Sequence, residues 1–235
     1  IIGSIVALVF LAVAGNEKRA AAGLTRQNWK SAVLIVLAFV GIYIVRTVVS
    51  VAVQGVSDGS GMQYVKEWAA MFKNPMMWLN IAALPINYFF VFIAFFGEEY
   101  GWRYYLQPVL QKRFGLRAGV IILGVVWGLW HIPDDLFYYT QTSGIQMIFA
   151  QQITCISLGI FFAYAYMKTQ NIWVPVCLHY LNNNLIPIIS GMFSADVLEN
   201  QTVSWKDLPV ALVLNGLCFG FFLLADVFKK KEVQE

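Results

Sequence analysis

Charged residues make up only 12% of this chain, and His131 and His179 are its whole supply of imidazole. So little charge against 59% hydrophobic content and a mean hydropathy of +0.65 excludes an ordinary soluble domain and places the chain in the membrane class. Three cysteines, Cys155, Cys177 and Cys218, lie far apart in apolar runs, which gives neither a disulfide framework nor a CxxC metal spacing. They read as small buried hydrophobes. No HExxH is present, so a zinc-protease helix of the soluble type is absent, and no Gly-x-Ser-x-Gly elbow exists. Cys177 and His179 are two residues apart and diverge on a helix, so they form no local dyad. With a net charge of +3 and no basic stripe interleaved with aromatics, nucleic acid is not an expected partner.

What the chain does contain is a series of apolar stretches near the length of about 20 residues that a helix needs to cross hydrocarbon. They run over 1–14, 31–53, 78–96, 118–131, 146–167, 172–189 and 208–228. The expected fold is therefore all-α: a polytopic membrane helix bundle of about seven helices, or eight if one precedes Ile1, forming one integral membrane domain over 1–235. Basic residues test the count, because Lys and Arg crowd the cytoplasmic connections. Twelve of the sixteen fall in alternate connections, at Lys18, Arg19, Arg26, Lys30, Arg103, Lys112, Arg113, Arg117, Lys168 and Lys229 to Lys231. Lys66, Lys73 and Lys206 fall in the others, and Arg46 lies within a span. This pattern predicts a multi-pass protein of the plasma membrane with a cytoplasmic C-terminus. The connection 54–77 carries Tyr64, Trp68 and Phe72 at four-residue spacing, which predicts an amphipathic helix at the outer interface. Residues 100–114 either continue the third helix or re-enter the membrane. GxxxG pairs at Gly97/Gly101, Gly124/Gly128 and Gly216/Gly220 permit close helix approach.

Ionisable groups in hydrocarbon are costly and mark function by default. Glu98-Glu99-x-x-x-Arg103 closes one apolar stretch. On a helix Glu99 and Arg103 share a face while Glu98 is turned about 100° away. Arg103 can then neutralise Glu99 and leave Glu98 to face a cavity as a general base. Trp127 and His131 also stand four apart, so the indole can shield the imidazole. His179 and Asn183 share a face in the same way, with Asn182 and Asn184 expected to point elsewhere. Asn87 falls within about 20° of the Glu98 face and reads mainly as a helix-packing amide. Asp134 and Asp135, after Pro133, read as turn residues that start the next element. Arg46 reads as a snorkelling or structural arginine. One tension concerns depth: His131 lies about 21 Å along a helix from Arg117, so it meets Glu98 only if the third helix runs past Glu98 or the fourth begins outside the hydrocarbon.

The ordered set EExxxR, aromatic-xxx-His and HxxxN, here Glu98, Glu99 and Arg103, then Trp127 and His131, then His179 and Asn183, resembles the CPBP family of CAAX-protease and bacteriocin-processing intramembrane proteases, also called Abi. The resemblance spans 98–183, within a motif-bearing core of about 78–189, with Trp127 where the family commonly has Phe. It implies that Glu98 and His131 activate a water for attack on a peptide carbonyl, that His179 and Asn183 stabilise the oxyanion, and that Glu99, Arg103 and Trp127 support them. Members have also been described as metalloproteases, and Glu98, His131 and His179 would be the ligands if zinc were bound. The metal-free reading is favoured, with no cofactor, because Asn is a poor zinc ligand and a good oxyanion donor. Expected partners are the lipid bilayer and a membrane-associated peptide or protein substrate, and the compact loops are closest to bacterial members. The rival reading is a non-catalytic membrane scaffold or bacteriocin-immunity protein on the same fold. A proton-relaying transporter ranks third, because no half-symmetry is visible.

Overall fold

A computed structural model describes residues 6, 9, 13–57, 59–60, 62–190 and 199–229, and among these the regular structure is helical, with no strand. Apart from Val6, Val9, Val13 and Ala14, the first apolar stretch lies outside the described residues, as do Lys230, Lys231 and the Tyr64 side chain. The helices are α1 (Asn16–Ala21), α2 (Trp29–Ser57), α3 (Gln63–Met71), α4 (Pro75–Glu99), α5 (Gln107–Phe114), α6 (Leu116–Trp130), α7 (Ile132–Phe137), α8 (Gly144–Thr169), α9 (Trp173–Ile189) and α10 (Asp207–Cys218).

Four stretches are long and apolar enough to cross a membrane: Trp29–Ser57, Pro75–Phe114, Leu116–Phe137 and Gly144–Thr169. The chain is therefore a multi-pass membrane protein. The expected count of seven is not reached among the described residues, since α9 has 17 residues and α10 only 12. The predicted helix over 208–228 breaks at Phe219, where Gly220 opens two short 3-10 turns, Gly220–Leu224 and Asp226–Phe228. Large apolar side chains face outward, Phe89 and Phe90 among them, as a lipid-facing surface requires.

The predicted third span does run past Glu98. A π-helical segment, Tyr100–Leu106, joins α4 to α5 and makes one continuous 40-residue stretch. π-Helical turns inside α-helices are rare and often mark functional sites. Within α4, Pro85 removes one backbone donor, and the Tyr180 hydroxyl of α9 bonds the nearby Leu84 carbonyl at 2.7 Å.

Packing around α8 fixes where the site residues stand. A Cβ on Gly124 would lie 2.6 Å from the Ile156 Cα, so α6 and α8 cross backbone to backbone there. Of the three GxxxG pairs, Gly124/Gly128 is the one at such a crossing: Gly101 and Gly216 have open space where a side chain would sit. On the other side of α8, the fully buried Phe39 of α2 stacks on Phe161 at 5.6 Å and lies 5.8 Å from the ring of Phe219. That cluster clamps α2 against α8 and the end of α10. The predicted interfacial helix exists as α3, and its Trp68 indole donates to the Ile189 carbonyl at 2.7 Å, which fastens it to the end of α9.

Candidate active site

Helix α6 ends because Pro133 cannot continue it, and His131 occupies the corner between α6 and α7. The last carbonyls of a helix lack backbone donors. His131 Nδ1 lies 2.8 Å from one of them, the Trp127 oxygen. A carbonyl only accepts, so Nδ1 carries the proton and the neutral ring keeps its lone pair on Nε2. The Trp127 ring stands 5.9 Å from His131 and 5.4 Å from His179, edge-on to both.

Glu99 is fully buried and holds two partners. Arg103 Nε donates to Oε2 at 2.8 Å, and His179 Nδ1 donates to Oε1 at 2.9 Å. Arg103 is buried too, bonds the Gly159 carbonyl at 3.3 Å and lies 5.3 Å from the Trp127 ring centre. The first motif therefore reaches the third through Glu99, and His179 is left with Nε2 alone for a ligand. Phe95 packs edge-on against its ring at 5.1 Å.

On α9, His179, Asn182, Asn183 and Ile186 follow an i, i+3, i+4, i+7 pattern and line one cavity of about 450 Å³ together with His131 and Trp127. Asn182 was expected to point away. It lines the cavity because position i+3 shares the His179 face, and the Tyr43 hydroxyl of α2 donates to its Oδ1 at 2.6 Å. Asn182 Nδ2 in turn donates to Asn183 Oδ1 at 2.9 Å. With its oxygen engaged, Asn183 has its Nδ2 hydrogens left to donate. Pro187, four residues on, cannot donate to the Asn183 carbonyl, so the helix backbone is also opened at this position.

Glu98 stands in a second, mainly aromatic-lined cavity of about 780 Å³ whose wall includes Trp102, Tyr105 and Trp130. Its Oε2 is buried without a hydrogen-bond partner among the described residues. The Cys155 sulfur is 3.9 Å from His131 Nδ1. Glu98 and His131 line different cavities. Glu98, His131 and His179 are not gathered as the ligands of one ion: among the described residues, no group of three His, Cys, Asp or Glu side chains is placed to hold a metal.

Asn87 is a packing amide, donating to the Tyr180 hydroxyl and to Asn184 Oδ1, both at 3.2 Å. Asp134 and Asp135 do start the next element, but as first-turn residues of α7 and not in a turn, and Asp135 is buried at 0% exposure because α7 begins directly after His131 and packs on α8. Neither Asp135 oxygen has a partner among the described residues. In the following loop, burial first and then the nearby Asp134 push the Tyr139 phenol up to about 12, so this cavity-lining hydroxyl remains a donor at neutral pH. Tyr43, Asn182 and the Glu99–His179 bond are the parts that sequence spacing missed.

Residues 78–185 match the family described as type II CAAX prenyl endopeptidase, Rce1-like. This is the family that the three motifs resemble. The Rce1-like segment runs from α4 into α9 and carries Glu98, Glu99, Arg103, Trp127, His131, His179 and Asn183. A similar relative is CAAX prenyl protease 2 from Methanococcus maripaludis, 29% identical over 109 residues, which cover 43% of this chain and 39% of the relative. No solved structure matches the chain.

Proposed function

We propose that the chain is an intramembrane endopeptidase that hydrolyses a peptide bond of a membrane-associated peptide or protein. The observation that carries this reading is the common cavity of His131, His179 and Asn183, drawn from two motifs and tied to the third through the Glu99 bond to His179. Water attacks the peptide carbonyl carbon while Glu98, a carboxylate oxygen without another bond, takes its proton, with His131 Nε2 as the second acceptor. The oxyanion then receives hydrogen bonds from Asn183 Nδ2 and, when the ring is protonated, from His179 Nε2. Collapse of this intermediate breaks the C–N bond, and the proton held by the base goes to the leaving amine.

Glu99 and Arg103 fit this scheme as supports. The carboxylate fixes the His179 ring, while Arg103 offsets the charge of the carboxylate. The named relative is a CAAX prenyl protease, so a prenylated peptide ending in Cys and three further residues is the first substrate to try, in a plasma-membrane protein with a cytoplasmic C-terminus. The purified chain should release the tail, and Glu98→Gln should slow release by about 100- to 10,000-fold while folding normally. No cleavage by the wild type of that peptide, its unprenylated form or other membrane peptides, or full activity in Glu98→Gln, would sink the proposal.

A further inference from the structure

Arg46 is the one charged residue between Ser31 and Ser57 of α2, and it lies outside the Rce1-like segment. An arginine far inside an apolar helix is expensive and is ordinarily paired. Among the described residues no carboxylate pairs with it. Its Nε donates to Asn215 Oδ1 at 2.7 Å, and its guanidinium carbon lies 5.7 Å from the Tyr43 ring centre. With Nε taken, the two terminal amino groups are left, and these form an edge that can grip a carboxylate with two parallel bonds.

Where Arg46 stands gives that edge a use. It lines the cavity of His131, His179 and Asn183, and also a neighbouring one of about 430 Å³. Among the described residues lining the first cavity there is no Asp or Glu, and Arg46 is its only Lys or Arg. Glu99, behind His179, is already matched by Arg103. Arg46 is therefore the one permanently charged side chain on this wall and has no carboxylate partner there, so its remaining edge can receive an anionic occupant. Tyr43, one helical turn before Arg46, also orients Asn183 through Asn182, so one stretch of α2 serves both the oxyanion donor and the cation.

We infer that Arg46 binds a carboxylate of the substrate on the far side of the scissile bond from the membrane anchor, an inference that rests on the peptidase reading. The carboxylate is either the free C-terminus of a short tail or an acidic side chain within it. In both cases Arg46 sets specificity and takes no part in the bond-breaking step.

The test uses the whole chain in detergent and three fluorescein-labelled apolar tripeptides: the free acid, its C-terminal amide, and the amide with one residue replaced by Asp. Binding is read by anisotropy on the Glu98→Gln protein, so that it does not depend on cleavage. The free acid should bind about 10- to 100-fold more tightly than the plain amide if the terminus is recognised, and the Asp amide should hold that advantage if a side chain is. In the Glu98→Gln, Arg46→Gln double variant the three should bind within about twofold of one another. Should that variant melt early, Arg46→Lys decides: it keeps the charge but loses the fork, and should retain only part of the preference. With active protein, Arg46→Gln should raise KM for the preferred peptide by the same factor and leave kcat nearly unchanged. Equal binding of all three peptides when Arg46 is present, an undiminished preference in a stably folded Arg46→Gln protein, or a full preference in Arg46→Lys overturns the assignment. A preference that depends on Arg46 in a protein that cleaves nothing would instead leave the anion site standing and remove the peptidase.

Discussion

On the wall of the cavity built from residues 78–185, buried charges are spent on one another: Arg103 and His179 both bond Glu99, and an aromatic ring closes over the arginine. On the wall contributed by α2, Arg46 has a single hydrogen bond to an amide and no carboxylate among the described residues. The first arrangement fixes geometry whether or not a ligand is present, with one Arg103 amino group left without a partner among the described residues. The second keeps donor capacity in reserve at a cost to stability. The same division separates neighbours in sequence, since Glu99 is bonded twice while Glu98, in the second cavity, keeps a buried oxygen without a partner among the described residues. Arg103 is held in an ion pair and Arg46 is not, so substitutions on the two walls should fail differently.

The largest expected contrast is in stability. Removing one partner of a buried pair typically costs about 3 to 5 kcal/mol, and Arg103→Ala should do so because it leaves Glu99 buried with only His179. Arg46→Leu gives up one hydrogen bond, but it also removes a charge that costs about 2.5 to 3.5 kcal/mol at a helix centre, so its net effect should be near zero. Thermal melting of both variants in one detergent checks this. Equal losses would mean that Arg46 is as structural as Arg103 and that the two walls do not differ.

Next in size is the rate effect at Asn183, the point where the walls meet. Loss of one oxyanion donor typically lowers turnover by about 100- to 1,000-fold, and Asn183→Ala should do so with little change in KM. Metal analysis and chelation sharpen the result. Unit zinc occupancy together with a nearly active Asn183→Ala would replace water activation by glutamate with metal catalysis, whereas unchanged activity after chelation would support it.

Pairings within one helix were legible in the sequence because α-helical spacing dictates them. Glu99 with Arg103 and Trp127 with His131 are separated by four residues and do meet. Contacts between helices were not, because a single sequence gives the faces of a helix but not its neighbours. Glu99 and His179 are 80 residues apart, Tyr43 and Asn182 139, and Arg46 and Asn215 169. Asn182 was misplaced for a simpler reason: position i+3 shares the His179 face as i+4 does, and the Tyr43 hydroxyl from α2 then fixes its amide. Helix starts were half legible. Asp134 and Asp135 after a proline do start the next element, but as helix and not turn, because Pro133 occupies the first turn of α7, where its missing donor costs nothing.

The smallest effect is the most diagnostic of how the walls are joined. Tyr43 touches no reacting atom; its hydroxyl holds Asn182, which holds Asn183. Tyr43→Phe keeps the ring in the Phe39 and Phe219 cluster and removes only the donor, so melting should change little. A neutral hydrogen bond is worth about 0.5 to 1.5 kcal/mol, so if the amide orientation depends on it, kcat should fall by about 2- to 12-fold with KM unchanged. The decisive measurement is the double variant. Residues that act through one another are not additive. In an Asn183→Ala background the chain of donors ends on nothing, and Tyr43→Phe should cost no further activity. A full additional loss there would show that Tyr43 acts on the cavity by another route, through the neighbouring Arg46, and would shift the role of α2 from orienting the oxyanion donor to holding the substrate.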